Sequence, residues 1–194
     1  MKSLVFATKN RYKTSEIRSL AGLSFNILDL TDFDIVEDLP ESHETLEENA
    51  LEKAQYVHKI TAMNGFADDS GLEIDALGGR PGVYSARYSG PGNDSTANIA
   101  KVLEELEHKQ NRKARFRTVI ALILDGKSFL FEGAVEGTIL LKPRGRDGFG
   151  YDPVFQPIGH SQTFAEMSLS DKNKISHRAI AFRKMVQFLK KRIG

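Results

Sequence analysis

The sequence predicts a single α/β domain, and three observations support this. Short apolar runs suited to strands alternate with stretches whose apolar residues recur at helical spacing. No repeat, low-complexity tract or linker interrupts the 194 residues. Domains usually hold about 100–200 residues, so residues 1–194 suit one domain with a sizeable core. The pattern leaves open whether that domain has two lobes.

The first part of the chain alternates strands and helices. The run Leu4–Ala7 predicts a short buried strand, followed by a polar helix to about Ala21. Gly22 is suited to end that helix. A second strand is predicted from Phe25, Ile27, Leu28 and Leu30. An amphipathic helix is predicted from Leu46, Ala50, Ala54, Val57 and Thr61.

The second part of the chain adds two helices and a hairpin. The dipeptide Asp125-Gly126 predicts a tight turn between strands at Phe116–Leu124 and Ser128–Val135. One helix is predicted from Ile99, Val102, Leu103 and Leu106. A closing helix, with Ser176 as its N-cap, is predicted from Phe182, Met185, Val186, Leu189 and Ile193.

Composition excludes several classes of protein. Lys and Arg number 27 against 26 Asp and Glu, so a net charge of +1 gives no field that attracts nucleic acid or membranes. The absence of Cys excludes disulfides, a thiolate nucleophile and Cys-ligated zinc. No apolar run reaches the length of a membrane helix, and the N-terminal run is too short for a signal peptide. We therefore predict a cytoplasmic protein without nucleic-acid or membrane partners.

Charge is nevertheless segregated along the chain. The segment Glu37–Glu52 carries seven carboxylates and no Lys or Arg, whereas Lys172–Arg192 carries eight Lys or Arg and no acid. Either these are solvated faces, or they hold an anionic ligand together with a divalent cation.

The first candidate site lies between the predicted first strand and first helix. A helix start after a strand presents backbone N–H groups and a positive dipole end, which suit phosphate. Short hydrogen-bonding side chains and cations add to it, although the Walker A pattern is absent. Its residues are Thr8, Lys9, Asn10, Arg11, Tyr12 and Lys13.

The second candidate site is the pair Asp68 and Asp69, which follows the apolar pair Phe66-Ala67. The pair predicts the end of a strand, where a side chain can project into a cleft. Paired carboxylate oxygens suit Mg²⁺, which bridges protein to substrate phosphate. The alternative is an Asx turn before Gly71.

The third candidate site is the glycine-rich stretch Gly145–Pro153, which lacks the order of a dinucleotide-binding fingerprint. Its glycines allow the backbone close to a flat ligand, and Phe149 could stack on a base. An irregular loop without a ligand remains the alternative.

The fourth candidate site is the segment Lys172–Arg178. With Ser176 as N-cap, His177 and Arg178 fall in the first helical turn, where basic residues oppose the helix dipole. An anion or a carbonyl oxygen opposite them would explain that placement. Purine O6 and N7 are acceptors of this kind.

Together the four candidates predict a Mg²⁺-dependent enzyme that acts on a nucleoside triphosphate. Their order resembles the inosine triphosphate pyrophosphatase family, in particular its bacterial dITP/XTP diphosphatases. The resemblance covers about Val5 to Phe188. The matching blocks are Thr8-x-Asn10-x-x-Lys13, Glu48-Asn49-Ala50, Ala67–Leu72, Leu77–Gly82, Ser85–Tyr88, Phe149–Pro153 and Ser176–Arg178.

This resemblance implies hydrolysis of ITP, dITP and XTP to the monophosphate and pyrophosphate, which removes these nucleotides from the pool. It further implies a homodimer of an elongated α/β fold. In that fold a mixed twisted sheet supports two lobes around a central nucleotide cleft.

The resemblance also assigns roles to residues. Asp69 is implied to bind Mg²⁺ and accept a proton, with Asp68 beside it and Lys13 on the leaving group. Glu41 is implied to be the second metal ligand, with Glu44 as the alternative. Lys9 stands where family members often carry Gly. Nucleotide contacts are implied for Thr8–Lys13, Ser70, Phe149, Gly150, Tyr151, Asp152, Lys172, His177 and Arg178.

Two other functions remain open at this stage. One is a pyrophosphatase for modified pyrimidine or other nucleotides. The other is a nucleotide- or RNA-binding module that uses the basic segments Lys109–Arg117 and Lys172–Arg192.

Overall fold

A computed structural model describes residues 2–22, 24–35 and 37–193 of the chain. Strands and helices alternate, which confirms the predicted α/β class. The strands are β1 (Lys2–Phe6), β2 (Phe25–Asp29), β3 (Gly65–Ile74), β4 (Pro81–Gly82), β5 (Lys113–Leu124), β6 (Lys127–Ile139) and β7 (Phe155–Pro157). The α-helices are α1 (Arg11–Ala21), α2 (Leu46–Thr61), α3 (Ser95–Glu105), α4 (Leu169–Ile175) and α5 (His177–Ile193). Short 3-10 turns cover Leu30–Phe33, Asp75–Leu77 and Ser85–Arg87.

The strands of the described residues form one seven-stranded sheet in the order β2-β1-β3-β5-β6-β7, with β4 paired to β3 outside this path. β1 is parallel to both β2 and β3, whereas the β3–β4 and β6–β7 pairs are antiparallel. The sheet is therefore mixed, as predicted. In the β1–β3 register Phe6 lies opposite Phe66, and the two rings stack with centroids 4.6 Å apart.

The chain forms two compact units, each with its own apolar core. Unit 1 comprises Met1–Asp69, Thr118–Gly133 and Arg178–Gly194, and unit 2 comprises Ser70–Arg117 and Ala134–His177. The core of unit 1 includes Leu4, Phe6, Ile17, Phe66, Ile120, Phe182 and Met185. The core of unit 2 includes Leu72, Val102, Phe116, Tyr151, Phe155, Phe164 and Met167. The prediction of one domain over residues 1–194 stays a prediction.

Local sequence signals located most elements to within a few residues. α1 ends at Ala21, and Gly22 caps it with φ of +53°. Strands β5 and β6 are joined through Asp125 and Gly126, whose φ values of +50° and +75° match the turn that this dipeptide predicts. α5 begins at the residue after Ser176. No helix of the described residues is long and apolar enough to cross a membrane.

The structure corrects the expectation that a strand ends at the aspartate pair. β3 continues through both aspartates to Ile74, so there is no Asx turn before Gly71. Here β3 pairs closely with β4, and a Cβ on Gly71 would lie 2.5 Å from the carbonyl oxygen of Gly82. Glycine thus permits the strand pairing here instead of making a turn. Leu30 also lies outside β2, and the short elements β4, β7 and α4 were not predicted.

Candidate active site

The predicted phosphate site is a capped helix start in unit 1. Asn10 is the N-cap of α1, and its side-chain oxygen accepts hydrogen bonds from the backbone N–H groups of Tyr12 (3.0 Å) and Lys13 (3.2 Å). Thr8 accepts a further bond from the backbone of Asn10 at 3.1 Å. The predicted strand–turn–helix junction is confirmed, but the cap already uses two of the N–H groups expected to face phosphate.

The cations of this segment have different environments. Lys9 pairs with the exposed Asp38 at 3.2 Å, while Arg11 and Tyr12 are exposed. Lys13 turns inward and donates to Asp68 Oδ1 at 2.9 Å. Lys13 therefore joins this segment to a predicted catalytic carboxylate.

Asp68 is the centre of a buried ion-pair network. Lys13 donates to one carboxylate oxygen, and Arg178 Nε donates to the other at 2.9 Å. Arg178 also pairs with Glu16, one helical turn after Lys13 on α1. The side chains of Asp68, Arg178 and Glu16 are almost fully buried, so each charge has its compensation inside the protein.

The same network sets the protonation state of Asp68. Burial alone would raise the pKa of its carboxyl, but the Lys13 ammonium and the Arg178 guanidinium outweigh it and hold the pKa well below the ordinary value. Burial lowers the pKa of Lys13, an effect that Asp68 opposes only in part. Asp68 therefore stays ionised and is poorly suited to accept a proton.

Asp69 lies in a different environment, although it follows Asp68 directly. Lys53 on α2 donates to Asp69 Oδ1 at 2.9 Å, and Asn49 Nδ2 lies 3.4 Å from Oδ2. Burial raises the pKa of Asp69, and Lys53 and Lys13 oppose this rise incompletely. A buried carboxylate with a raised pKa is a suitable proton acceptor.

The predicted metal ligand Glu41 meets Asp69 on the same ammonium. Lys53 Nζ lies 2.6 Å from Glu41 Oε1 as well as 2.9 Å from Asp69 Oδ1. Glu41 and Asp69, which were predicted to share Mg²⁺, are therefore brought together around the ammonium of Lys53. Glu44, the alternative ligand, is exposed, as Glu41 is, so exposure does not decide between the two.

Asn49 ties the acidic segment to this carboxylate pair. Its side chain accepts from the backbone N–H of His43 at 2.9 Å and donates to the His43 carbonyl at 3.1 Å. The same Nδ2 approaches Asp69. Asn49 therefore fixes the loop two residues after Glu41.

In unit 2, Asp152 organises the glycine-rich loop. Its Oδ2 accepts from the Phe149 backbone N–H at 2.8 Å and from Lys172 Nζ at 2.6 Å. The Lys172 ammonium also lies 4.9 Å from the centroid of the Phe149 ring. The loop and the buried lysine of α4 therefore form one ordered group, in which Asp152 is a structural anchor.

Tyr151 is likewise an anchor within this loop. It is buried, and its hydroxyl donates to the Ser85 carbonyl at 2.8 Å. Burial and the neighbouring Tyr88 raise its pKa, so the phenol stays neutral. The half-buried Gly150 before it adopts φ of +59°, which suits glycine.

The remaining predicted nucleotide contacts divide between the two units. In unit 2, Ser70 directly follows Asp69 on β3 and is half-buried. His177 is buried and stacks on Phe116 with centroids 4.7 Å apart. Arg178 belongs to unit 1, where it faces Asp68. An anion opposite Arg178 was expected from its position at a helix start. The carboxylate of Asp68 is such an anion.

Three residues of the site were not assigned a function from the sequence: Glu16, Asn49 and Lys53. Their helical spacing from other site residues is the signal that could have identified them. Glu16 follows Lys13 by three residues on a helix, and Lys53 follows Asn49 by four, so each pair shares a face.

The arrangement in unit 1 is suited to hydrolysis at phosphorus. It holds a carboxylate with a raised pKa in Asp69, an ion-paired carboxylate in Asp68, and the ammonium groups of Lys13 and Lys53. In the described residues, no group of three or more His, Asp and Glu side chains forms a metal site. A cation held by Glu41 and Asp69 would therefore need further ligands from water or substrate.

Comparison with known proteins gives matches along almost the whole chain. A model of the Ham1 family matches residues 4–188. The dITP/XTP pyrophosphatase of Christiangramia forsetii is 50% identical over 188 residues, covering 97% of this chain and 99% of that protein. The dITP/XTP pyrophosphatase of Porphyromonas gingivalis is 50% identical over 190 residues, covering 97% and 98%. The solved Ham1 protein of Staphylococcus aureus matches with a TM-score of 0.88 at 35% identity, covering 98% of this chain and all of that one (100%).

Proposed function

The chain belongs to the Ham1 family, and from that membership we propose that it hydrolyses the deaminated purine nucleotides ITP, dITP and XTP to the monophosphate and pyrophosphate. Its relatives in Christiangramia forsetii and Porphyromonas gingivalis carry the name dITP/XTP pyrophosphatase. One structural observation carries the proposal. Asp69, with its raised pKa, and Glu41 share a lysine ammonium in the same unit as the Lys13–Asp68 pair.

We propose Mg²⁺ as the cofactor, held by Glu41 and Asp69. Both residues offer carboxylate oxygens, which a hard cation prefers, and both already contact a cationic group. The donor set therefore fits the ion. When bound, Mg²⁺ neutralises phosphate charge and lowers the pKa of a coordinated water.

The protein supplies the proton transfer and the charge stabilisation. Asp69 accepts the proton of the attacking water, because its raised pKa brings it closer to the pH at which the protein works. Lys13 stabilises the negative charge that develops on the leaving pyrophosphate. Asp68 orients Lys13 and takes no proton, because its own pKa is held low.

Base selection follows from hydrogen-bond donors in unit 2. Hypoxanthine and xanthine present an acceptor, O6, where adenine presents an amino donor. The buried ammonium of Lys172 is a donor without any acceptor function. Against adenine it would face another donor, and an unsatisfied buried group costs about 1–3 kcal/mol. The ring of Phe149 offers a surface on which the base can stack.

A pyrophosphate-release assay with Mg²⁺ over ITP, XTP, dITP, GTP, ATP and dUTP tests the proposal. Release from the first three substrates supports it. Release from dUTP alone would favour a pyrimidine pyrophosphatase, and equal hydrolysis of ATP and ITP would refute the donor account. Tight RNA binding without turnover would favour the binding module.

The same family resemblance supports a homodimer that clears these nucleotides from the cytoplasmic pool. Light scattering coupled to size-exclusion chromatography tests the dimer. A mass near twice 21.6 kDa is expected, and a monomer would contradict it.

A further inference from the structure

Lys53 occupies the position between the two proposed metal ligands. Its Nζ lies 2.6 Å from Glu41 Oε1 and 2.9 Å from Asp69 Oδ1. Both distances are those of strong charge-assisted hydrogen bonds. A single ammonium therefore compensates the carboxylate pair that Mg²⁺ would have to occupy.

The position of Lys53 on α2 is well fixed. Its side chain is only 5% exposed, and α2 extends over 16 residues, from Leu46 to Thr61. Its ammonium contacts both carboxylates, which compensate its charge inside the protein. The side chain is therefore a stable cation, and moving it away without another anion would leave a buried charge uncompensated.

The carboxylates differ in how tightly the protein holds them. Asp69 belongs to β3 and its side chain is 11% exposed, whereas the Glu41 side chain is 37% exposed and lies on a loop before α2. Glu41 can therefore change partner at low cost, provided that Lys53 receives a new anion. A nucleoside triphosphate brings such an anion in its phosphates.

We propose that Lys53 is an exchangeable counter-cation, which holds Glu41 and Asp69 in the free protein and yields them to Mg²⁺ when nucleotide phosphates take over its ammonium. This inference rests on the proposed function, because it assigns the phosphates of the substrate as the new partner. Lys53 is in this sense a positioning residue that couples metal binding to substrate binding.

The exchange has a consequence for metal affinity. In the free protein, Mg²⁺ must compete with an ammonium within 3 Å of both carboxylates, and removal of that ammonium restores two negative charges to the site. A neutral side chain at position 53 should therefore tighten metal binding by about tenfold or more. The reason is that the Lys53 ammonium attracts the two carboxylates strongly at these distances, even at intermediate dielectric, and the metal would no longer have to displace it. A purely structural role for Lys53 predicts the reverse, since the carboxylates would separate.

Calorimetric titration with Mn²⁺ in the absence of nucleotide tests whether Lys53 competes with the metal. Mn²⁺ is the probe because it takes the same oxygen ligands as Mg²⁺. Lys53→Met and Lys53→Gln are expected to bind Mn²⁺ about tenfold more tightly than the wild-type chain. Lys59→Met is the matched control, because Lys59 is an exposed lysine of the same helix, and its affinity should not change. The double variant Glu41→Gln/Lys53→Met should lose the gain.

Equal or weaker binding by both neutral variants, with a native circular dichroism spectrum, would overturn the proposal. A gain that persists without Glu41 would also overturn it, because the ion would then bind elsewhere. Two neutral variants guard against a single substitution that fails to fold.

A second titration tests the role of the nucleotide. A non-hydrolysable α,β-methylene analogue of ITP should raise the Mn²⁺ affinity of the wild-type chain more than that of Lys53→Met. Equal increases would overturn the exchange. Neither titration depends on turnover, so failure of the proposed hydrolysis in the substrate assay is distinguishable from failure of this inference.

Discussion

Asp68 and Asp69 are consecutive residues of β3, yet their carboxylates have opposite electrostatic settings. Asp68 is held by Lys13 and Arg178, and its pKa is lowered. Asp69 contacts Lys53, and burial raises its pKa. Successive strand residues point to opposite faces, which gives two adjacent acids separate partners. In the proposed mechanism Asp68 therefore holds its cations in place, and Asp69 is the better suited of the two to accept a proton.

Asp69→Asn should abolish most of the activity and preserve the fold. An amide cannot accept the water's proton, and loss of a general base costs about 10²–10⁴-fold in kcat. The free energy of unfolding should change by about 1 kcal/mol or less, because Lys53 keeps Glu41 as a partner. Steady-state kinetics with ITP measures kcat, and urea denaturation in a separate experiment measures the free energy of unfolding. Turnover near that of the wild type would remove Asp69 from the mechanism.

Asp68→Asn should act mainly on stability. The buried Arg178 and the partly buried Lys13 would lose their shared anion, and breaking a buried ion pair costs about 3–5 kcal/mol. The free energy of unfolding, measured in urea, should fall accordingly. Asp38→Asn is the matched control, because Asp38 pairs with Lys9 but is fully exposed, so its removal should cost almost nothing. Similar losses from both substitutions would refute the buried network.

The prediction from sequence succeeded where a signal was local. Asn10 caps α1, Gly22 ends it, and Asp125-Gly126 turns β5 into β6, each because one residue type satisfies one backbone requirement. Asp68 and Asp69 were singled out by residue type and order, and Glu41 by the family resemblance. In the structure Glu41 and Asp69 share Lys53, and Asp68 pairs with Lys13.

The sequence could not reveal partners that depend on folding. Glu16 is a charged helix residue with no local sign that it meets Arg178, which is 162 positions away along the chain. The end of β3 was misplaced because two aspartates and a glycine usually signal a turn. Their burial against cations and the close approach of Gly82 make a strand possible. Both effects arise from contacts between distant segments.

Gly148→Ala should disturb nucleotide recognition. A Cβ at this position would lie 2.2 Å from Asp152 Oδ2, the atom that holds Lys172 and the Phe149 backbone. Displacement of that carboxylate should lower kcat/KM for ITP by about tenfold or more, mainly through KM, since misplaced binding groups weaken productive binding.

Gly159→Ala is the control for this substitution. Gly159 has φ of +81°, close to the +75° of Gly148, but a Cβ there meets nothing within 4 Å. Both variants carry the same backbone strain, so only a steric effect distinguishes them. Equal kinetic losses would show that Asp152 is not the affected group.

Lys172→Met should reduce the preference for ITP over ATP. In the proposed donor account this buried ammonium favours an O6 acceptor, so its removal should lower the ratio of the two kcat/KM values by about tenfold. This ratio is insensitive to the fraction of protein that folds. The double variant Lys172→Met/Asp152→Asn keeps the buried charge balanced and should show the same ratio. An unchanged preference would assign base selection to another group.

The site of bond cleavage tests the central claim most directly. ITP should be hydrolysed in H₂¹⁸O with Mg²⁺, and the products analysed by ³¹P nuclear magnetic resonance and mass spectrometry. We predict ¹⁸O in the inosine monophosphate and unlabelled pyrophosphate, because water attacks the α-phosphorus. Release of orthophosphate with inosine diphosphate, or ¹⁸O in the pyrophosphate, would contradict the account.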